Sequence, residues 1–482
     1  MESNDNKPKA KKSIFKKLAF ASCDILGGGS FNIINFLYPG FLALVIGLNA
    51  YLAGMVLLIA KIWDAIIDPI IGFISDKTKS KFGKRRVYLI FVSPFVALSF
   101  ILLFFPFTLN TDFWKVIICL LTYMLFTLCQ SFIMVPYYSL SSEISSEYNE
   151  RASYNSYRLG FSIFSSILCV AIPGMIVNGF KPGNNGYIVM GLIFGALFAL
   201  SALITGLFSK EEIVTPPTKD KFSFKTLIQP LKLRVYRQYI YLFLVVQMAM
   251  AVMSGLFFFY VDFYVCKDLT FAGESNIVGM IGAALMFAMQ IVALPLYLKL
   301  IKLKGKTWVY RLGGIIWIIS ALALLFLPFN VSPWLIFVIA AIMGFGISAP
   351  GLVPHTMFGD VVDAGEIAFK ERLDGQMGGF TNFVNQAAQA LGLALAMFII
   401  GAAGFKEQVI GEPIINSQPE TALMAIKFVM AFTPLLLIGI GMVFTFFYKI
   451  DHKKQLEMKE IIRLMHLERQ HEEEQKKKDQ QS

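Results

Sequence analysis

The chain has 482 residues, of which 56% are hydrophobic and only 16% are charged, and its mean hydropathy is +0.64. Soluble globular proteins average about 45–50% apolar and about 25% charged residues, so this composition excludes an ordinary soluble domain. The net charge of +11 comes from Lys and Arg in short segments between long apolar stretches. This placement favours basic side chains that anchor the loops at anionic lipid, and it excludes nucleic acid as a partner.

Apolar segments long enough to cross a bilayer, which takes ~20 residues, follow one another along the whole chain. Only helices or closed barrels satisfy backbone polar groups in lipid, and these segments are too long and too uniformly apolar for barrel strands. We therefore predict an all-α polytopic membrane protein with twelve transmembrane helices. The predicted spans are 18–47, 51–75, 87–107, 113–142, 155–177, 187–208, 238–265, 276–298, 312–329, 333–357, 377–402 and 422–449.

Lys and Arg residues cluster in alternate loops. They are concentrated in the N-terminal arm and in the loops after spans 2, 6 and 8, whereas the opposite loops and their edges carry only Lys115, Lys181, Lys267 and Lys406. By the positive-inside rule, both termini are predicted to be cytoplasmic. Because the first apolar stretch is long enough to span and a second span follows it, we expect no cleavable signal peptide.

The polar stretch 209–237 separates two sets of six spans. A Gly-Lys pair lies in the basic loop after span 2, at Gly83, and again in the basic loop after span 8, at Gly305. This weak repeat is typical of the major-facilitator fold, in which solute and coupling-ion sites lie near the midplane between the halves. The predicted divisions are an N-terminal arm 1–17, a first half 18–208, a central loop 209–237, a second half 238–449 and a charged tail 450–482.

Two carboxylates lie inside span 2, where an ionisable side chain is costly and is a candidate for function. Asp64 and Asp68 are four residues apart, so both project from one helical face. Such a pair can bind a hard cation through oxygen ligands or hold a proton, and Pro69 frees a backbone carbonyl nearby. The alternative is structural, with Asp64 paired to Lys61 and Asp68 at a kink. Apart from a sodium ion at this pair, we predict no metal site, and the five scattered Cys residues suggest no disulfide framework.

A second set of charges lies at the cytoplasmic end of span 2 and in the loop that follows. Ion pairs at the water interface form and break cheaply, so we interpret this set as a conformational latch. Its predicted members are Gly72, Asp76, Gly83, Arg85 and Arg86.

Further polar side chains occur in spans 1, 5 and 11. Arg158 either faces the solute or extends to the cytoplasmic interface, and Asp24 either faces the cavity or lies at that interface. The four amides of span 11 share one stripe that either lines a wet cavity or holds two helices together. They are Asn382, Asn385, Gln386 and Gln389.

Three blocks resemble the glycoside–pentoside–hexuronide:cation symporters, whose best-known member is the melibiose carrier. They are 61–90, KIWDAIIDPIIGFISDKTKSKFGKRRVYLI; 135–158, VPYYSLSSEISSEYNERASYNSYR; and 360–375, DVVDAGEIAFKERLDG, which resembles the loop before span 11. The resemblance implies that Asp64 and Asp68 bind the cation, that Arg158 contacts or braces the sugar, and that Tyr138 lies against it.

The chain departs from that family at three positions. An acid of span 4 is replaced by Met134, and a lysine of span 11 falls on Gln386. The sugar-binding acid of span 1 aligns with Gly28 or, after a one-turn shift, with Asn32, while Asp24 lies further upstream. These departures make proton coupling or uncoupled flux more plausible, and the amides Asn382 and Gln386 then become candidates for binding sugar hydroxyls.

From the residues and this resemblance we predict a secondary transporter that carries a sugar, glycoside, pentoside or hexuronide with sodium or a proton. We expect no enzyme activity, no cofactor beyond the coupling ion, and a location in a bacterial plasma membrane. The fold works as a monomer, although the sequence leaves the oligomeric state open. The alternatives are a carrier of another amphipathic solute, such as a lysophospholipid, and a non-transporting membrane sensor.

Overall fold

Each predicted span is mostly helical over its described residues in the computed structural model. The structure describes residues 14–144, 148–180, 185–209, 228–265, 274–328, 331–370, 373–407 and 418–448, with scattered positions from 450 to 468. The predicted N-terminal arm, the central loop and the charged tail lie largely outside these described residues, as do Lys181, Lys267 and Cys266.

The helices of the first half begin with a short segment that precedes span 1. Their bounds are α1 Ile14–Ala21, α2 Asp24–Leu44, α3 Ala50–Lys77, α4 Arg86–Leu103, α5 Asp112–Glu143, α6 Tyr148–Gly179 and α7 Asn185–Phe208.

The helices of the second half include two π-helical turns, Tyr260–Val265 after α8 and Pro434–Ile438 between α13 and α14. The bounds are α8 Arg234–Phe259, α9 Glu274–Lys304, α10 Lys306–Ala323, α11 Pro333–Phe369, α12 Asp374–Ala402, α13 Glu420–Thr433 and α14 Gly439–Phe447. Short 3₁₀ turns occur at Gln229–Lys232 and Leu324–Phe326.

Among the described residues, 11 helical segments are long and apolar enough to cross a membrane. The helix at predicted span 1, α2, is not one of them. Its sequence DILGGGSFNIINFLYPGFLAL contains four glycines and the polar residues Ser30, Asn32 and Asn35, which lower its apolar character. A span that is this polar must place part of its surface against protein or water rather than lipid.

Two boundaries differ from the prediction. Predicted span 1 is broken at Ser22 and Cys23, so Asp24 begins α2 instead of continuing a longer helix. The block 360–375 was expected to be a loop, but residues 360–369 continue α11, and the helix ends where Lys370 adopts a left-handed conformation with φ of 54°. An apolar window cannot detect this extension, because the added turns are polar.

The chain divides into two compact units. The first contains Met1–Ile34, Ile67–Phe105 and Leu121–Asp220, and the second contains Asn35–Ile66, Pro106–Leu120 and Lys221–Ser482. Within the second unit, Phe36 of α2 packs edge-on against Phe257, and Tyr51 of α3 packs against Phe398 of α12. The C-terminal part of α2 and the N-terminal part of α3 therefore pack with helices of the second half.

Small residues allow close helix packing inside each unit. In the first, a Cβ atom on Gly195 of α7 would lie 2.9 Å from the carbonyl oxygen of Ala97 in α4. In the second, a Cβ atom on Gly313 of α10 would lie 2.9 Å from the carbonyl oxygen of Gly346 in α11. Close backbone approach of this kind drives association in lipid, where the hydrophobic effect between helices is absent.

Candidate functional site

A buried ion pair lies inside the first unit. The Nε–H of Arg158 in α6 donates to the Oδ2 atom of Asp24 at 2.8 Å, and the hydroxyl of Tyr137 in α5 donates to the same oxygen at 2.8 Å. The side chains of Arg158 and Asp24 are 17% and 7% exposed. The guanidinium also lies over the rings of Tyr137 and Tyr138, at 4.7 and 5.2 Å from their centroids. Three spans thus converge on one carboxylate.

The break between α1 and α2 places Asp24 at this point. The hydroxyl of Thr205 in α7 donates to the carbonyl of Ala19 at 2.8 Å and accepts from the N–H of Cys23 at 3.2 Å. These bonds satisfy backbone groups that the break would otherwise leave unpaired, which is costly away from water. A hydroxyl in an apolar span gives no local signal of this role, so sequence reasoning missed Thr205.

Met134 fills the space beside this ion pair. It stands where the melibiose-type carriers have an acid, and its terminal methyl would lie 2.4 Å from a Cβ atom on Gly27. Asn32, another predicted solute ligand, donates its side-chain amide to the carbonyl of Gly28 in its own helix at 2.9 Å. The polar groups that meet here are therefore those of Asp24, Tyr137 and Arg158.

The predicted cation pair lies along α3. Asp64 is 8% exposed, whereas Asp68 is less buried and accepts a hydrogen bond from the Ser131 hydroxyl of α5 at 2.5 Å. Pro69 supplies no N–H for the carbonyl of Ala65, which leaves an oxygen near the pair. Among the described residues, no group of three His, Cys, Asp or Glu side chains could hold a metal ion. A sodium ion at Asp64 and Asp68 would therefore also need neutral oxygens.

The amide stripe of span 11 lies on α12 in the second unit. Gln389 is 2% exposed, and its Nε2 donates to Oδ1 of Asn385 at 2.9 Å. Lys61 of α3 donates to Oε1 of Gln389 at 3.4 Å. The Oε1 atom of Gln386 is buried without a hydrogen-bond partner, while Asn382 is exposed. The stripe therefore binds within its own unit through Gln389, and its unpartnered acceptor is the Oε1 atom of Gln386.

The predicted latch residues cluster at the end of α3. The guanidinium of Arg85 bonds to Oδ1 of Asp76 at 2.5 Å and to the Ser75 hydroxyl at 2.7 Å. Arg86 donates to the carbonyls of Gly206 and Leu207 at the end of α7. Of the remaining members, Gly83 has φ of 108°, and a Cβ atom on Gly72 would lie 3.6 Å from a methyl of Val135 in α5. All these contacts lie within the first unit.

We expect Asp76→Asn to lower the melting temperature of the purified protein, because Arg85 is 4% exposed and loses its charged partner. A buried charge left without its partner costs about 1–3 kcal/mol. Asp112→Asn, which also breaks an ion pair but at an exposed carboxylate, is the matched control. If the pair acts as a latch, the turnover per folded molecule also changes; an unchanged turnover would contradict the latch.

A corresponding ion pair in the second unit was not predicted. Lys306 of α10 bonds to Oδ2 of Asp360 in α11 at 2.5 Å and to the carbonyl of Thr356 at 2.8 Å. Asp360 is 3% exposed, and Gly305 before the lysine has φ of 88°. The repeated Gly-Lys pair was the sequence signal. The partner Asp360 was recognised only as part of the block 360–375, whose residues 360–369 lie on α11.

Comparisons with known proteins give matches that cover nearly the whole chain. A family model described as MFS/sugar transport protein matches residues 19–452. An uncharacterized symporter of Synechocystis sp. is 28% identical over 92% of this chain and 96% of its own length.

Two further relatives carry names that state a solute. Sodium-dependent lysophosphatidylcholine symporter 1 of Gallus gallus is 24% identical over 93% of this chain and 89% of its own. The isoprimeverose transporter of Lactiplantibacillus pentosus is 25% identical over 90% of this chain and 88% of its own.

A solved structure has a similar fold. The crystal structure of a bacterial homologue of the human lysosomal transporter Spinster, inward-facing and unoccupied, has a TM-score of 0.68. It is 14% identical, and the match covers 94% of this chain and 99% of that one. Together with the family match, this likeness confirms the predicted all-α, major-facilitator fold.

Proposed function

Because the chain belongs to the MFS/sugar transport protein family, we propose that it is a symporter that carries a sugar or glycoside together with sodium or a proton. Membership of this family confirms the predicted resemblance, and it makes the protein an integral membrane transporter rather than an enzyme. The proposed location is a bacterial plasma membrane, since the symporter relatives include bacterial ones. The proposed mechanism is alternating access of a midplane site.

The main support for a sugar as solute is the buried ion pair of Asp24 and Arg158 together with the exposed ring of Tyr138 beside it. Asp24 and Arg158 offer charged acceptors and donors, which suit hydroxyl groups, in the interior of the first unit. Tyr138 is 51% exposed although it lies in a transmembrane helix, and its ring is next to the guanidinium. An exposed ring beside buried charges suits a solute with one apolar and one hydroxylated face.

The proposed coupling site is the pair Asp64 and Asp68. A cation bound there would stabilise the state that binds solute well, and linkage requires that solute raise the cation affinity by the same factor. The amides Asn382 and Gln386 are proposed as further hydroxyl ligands. The unpartnered Oε1 atom of Gln386 supports this, since a buried acceptor without a donor is costly until a ligand fills it.

Uptake by vesicles that contain the purified protein tests the proposal. A panel of labelled glycosides, pentosides and hexuronates is offered under an imposed sodium or proton gradient. Accumulation of one solute driven by one gradient supports symport and names both partners. Flux without accumulation points to a facilitator, and absence of flux for every sugar contradicts the sugar proposal.

A second candidate solute is a lysophospholipid, and an open apolar pocket of about 470 Å³ favours it. The cavity lies along α6, the helix that carries Arg158, and is lined by Ser156, Tyr157, Gly160, Phe161 and Phe164. Three aromatic rings suit an acyl chain or the apolar group of a glycoside better than a free hexose. Competition between lysolipids and glycosides for uptake separates the two solutes.

We expect Gly160→Leu to narrow this cavity and to weaken transport of solutes with a large apolar group. Nothing lies within 4 Å of a Cβ atom placed on Gly160, so the substitution fits without a backbone shift. The loss should be about tenfold in apparent affinity, since roughly 1.4 kcal/mol of apolar contact is removed. Gly179→Leu, on the same helix with equally open space, is the matched control. Equal effects of both variants, or none from Gly160→Leu, would contradict a role for this cavity.

A further inference from the structure

Arg311 is a half-buried cation near the start of α10, within the second unit. Its Nε–H donates to the Thr445 hydroxyl of α14 at 2.8 Å, and that hydroxyl donates to the carbonyl of Met442 at 2.6 Å. The Cζ atom of Arg311 lies 3.7 Å from the centroid of the Phe446 ring. Among the described residues, no carboxylate forms a salt bridge with Arg311, and its two Nη atoms donate no hydrogen bond. The Nη atoms are therefore available to a ligand.

Close packing of α10 against the last part of span 12 sets this position. A Cβ atom on Gly314 of α10 would lie 2.9 Å from a methyl of Ile438, in the π-helical turn before α14. A Cβ atom on Gly441 of α14 would overlap the hydroxyl of Tyr310. Both glycines let the helices approach closely, as small residues do in lipid. The guanidinium is therefore held in place before a ligand arrives, which lowers the entropic cost of binding.

Exposed apolar side chains flank Arg311 on both helices. On α10, they lie three residues before it and four and eight residues after it, so they share one side of the helix with it. On α14, Phe446 is 66% exposed although it belongs to a membrane span. The exposed set is Trp308, Ile315 and Ile319 of α10 with Val443 and Phe446 of α14. An exposed apolar surface on a transmembrane helix suits acyl chains, so a ligand of Arg311 needs an apolar part.

A run of basic side chains precedes α10. The last turns of α9 contain three exposed lysines, Lys299, Lys302 and Lys304. Basic side chains at a membrane surface attract anionic headgroups. An arginine in a span is costly unless it reaches those headgroups, where its planar fork of donors matches two oxygens of a phosphate. The open Nη atoms and the neighbouring lysines therefore favour a phosphate group with a net negative charge.

We propose that Arg311 binds the phosphate of an anionic phospholipid, whose acyl chain lies along the exposed apolar side chains of α10 and α14. The lipid belongs to the leaflet that the positive-inside rule predicts to be cytoplasmic. A lipid fits this site better than a soluble phosphate compound, because the exposed side chains beside the guanidinium are apolar. The site is separate from the proposed solute and cation sites and does not depend on them.

Lipid binding to the delipidated, detergent-purified protein tests this site. The probe is dioleoyl phosphatidylglycerol, with dioleoyl phosphatidylcholine as the zwitterionic lipid of equal chain length and glycerol 3-phosphate as a soluble phosphate. Arg311→Gln removes the charge and the fork of donors. Arg237→Gln is the matched control, since it makes the same change at an exposed arginine of α8 whose Nη1 donates to the carbonyl of Leu231 at 3.0 Å. Native mass spectrometry counts bound lipids, and the melting temperature reports binding during each titration.

We expect the unmodified protein to bind phosphatidylglycerol at least about tenfold more tightly than phosphatidylcholine. Arg311→Gln should weaken the binding of phosphatidylglycerol at least about tenfold, because the charge-assisted hydrogen bonds to phosphate are lost. Arg237→Gln should change it by less than about twofold, since an exposed charge is screened by salt. Arg311→Lys keeps the charge without the fork and should lose about threefold. Glycerol 3-phosphate should leave the melting temperature unchanged.

A purely structural arginine gives a different pattern. Arg311→Gln would then melt at a lower temperature and bind phosphatidylglycerol as tightly as the unmodified protein, which overturns the proposal. Equal losses in Arg311→Gln and Arg237→Gln would show a response to overall charge and also overturn it. Stabilisation by glycerol 3-phosphate as large as that by phosphatidylglycerol would make the ligand a soluble phosphate compound instead of a lipid. If Arg311→Gln does not fold, Arg311→Lys decides, and an affinity equal to that of the unmodified protein overturns the proposal.

Discussion

The Asp64→Asn variant is expected to equilibrate solute across the membrane without accumulating it. A tenfold gradient of one coupled cation is worth about 1.4 kcal/mol and supports roughly a tenfold solute gradient. Neutralising Asp64, which is 8% exposed on the shared face of α3, removes half of the negative charge proposed to bind that cation. The accumulation ratio should therefore fall to unity, as measured in vesicles with labelled solute and an imposed gradient.

Exchange of labelled for unlabelled solute is the internal control for Asp64→Asn. Exchange needs the solute site and the conformational change but no net cation movement, so it should survive in a folded variant. Accumulation that remains at the level of the unmodified protein would contradict the assignment of the cation to Asp64. Loss of exchange together with accumulation would instead place Asp64 in the solute site or in the conformational change itself.

The second large effect is expected when the ion pair between Asp24 and Arg158 is broken. Asp24→Asn leaves the buried guanidinium without its carboxylate, and removing one partner of a buried pair costs about 3–5 kcal/mol. Because Arg158 keeps contacts with Asn155 and two tyrosine rings, we expect the lower end of that range for stability. Solute uptake at low concentration should fall roughly a hundredfold or more, corresponding to about 3 kcal/mol.

A double variant separates binding from stability at this pair. Asp24→Asn with Arg158→Gln removes both charges, so the melting temperature should recover most of what either single variant loses. Uptake should stay low, because the proposed hydroxyl ligands are still neutralised. Recovery of uptake in parallel with the melting temperature would show that the pair only supports the fold, and the solute site would then lie elsewhere.

Local patterns account for the features that could be predicted. Long apolar segments must form helices in lipid, since no other open structure pairs the backbone there, so the spans follow from hydropathy alone. A charge in such a segment is costly enough to be visible without a structure, which is why Asp64, Asp68 and Arg158 were all singled out. The break before Asp24 was missed because it depends on the hydroxyl of Thr205 on another helix. The helical turns at 360–369 were missed because they are polar.

The sequence by itself determined the order of the membrane spans, the family, and the short set of polar side chains inside the membrane. The tertiary structure alone decided their partners: Arg158 with Asp24, 134 residues apart, Lys61 with Gln389, 328 residues apart, and Lys306 with Asp360. The physical reason is that periodicity tells which face of a helix is polar, whereas the partner depends on how the helices pack. Packing in lipid is directed by small residues and side-chain contacts spread over the whole chain, and no local segment contains that information.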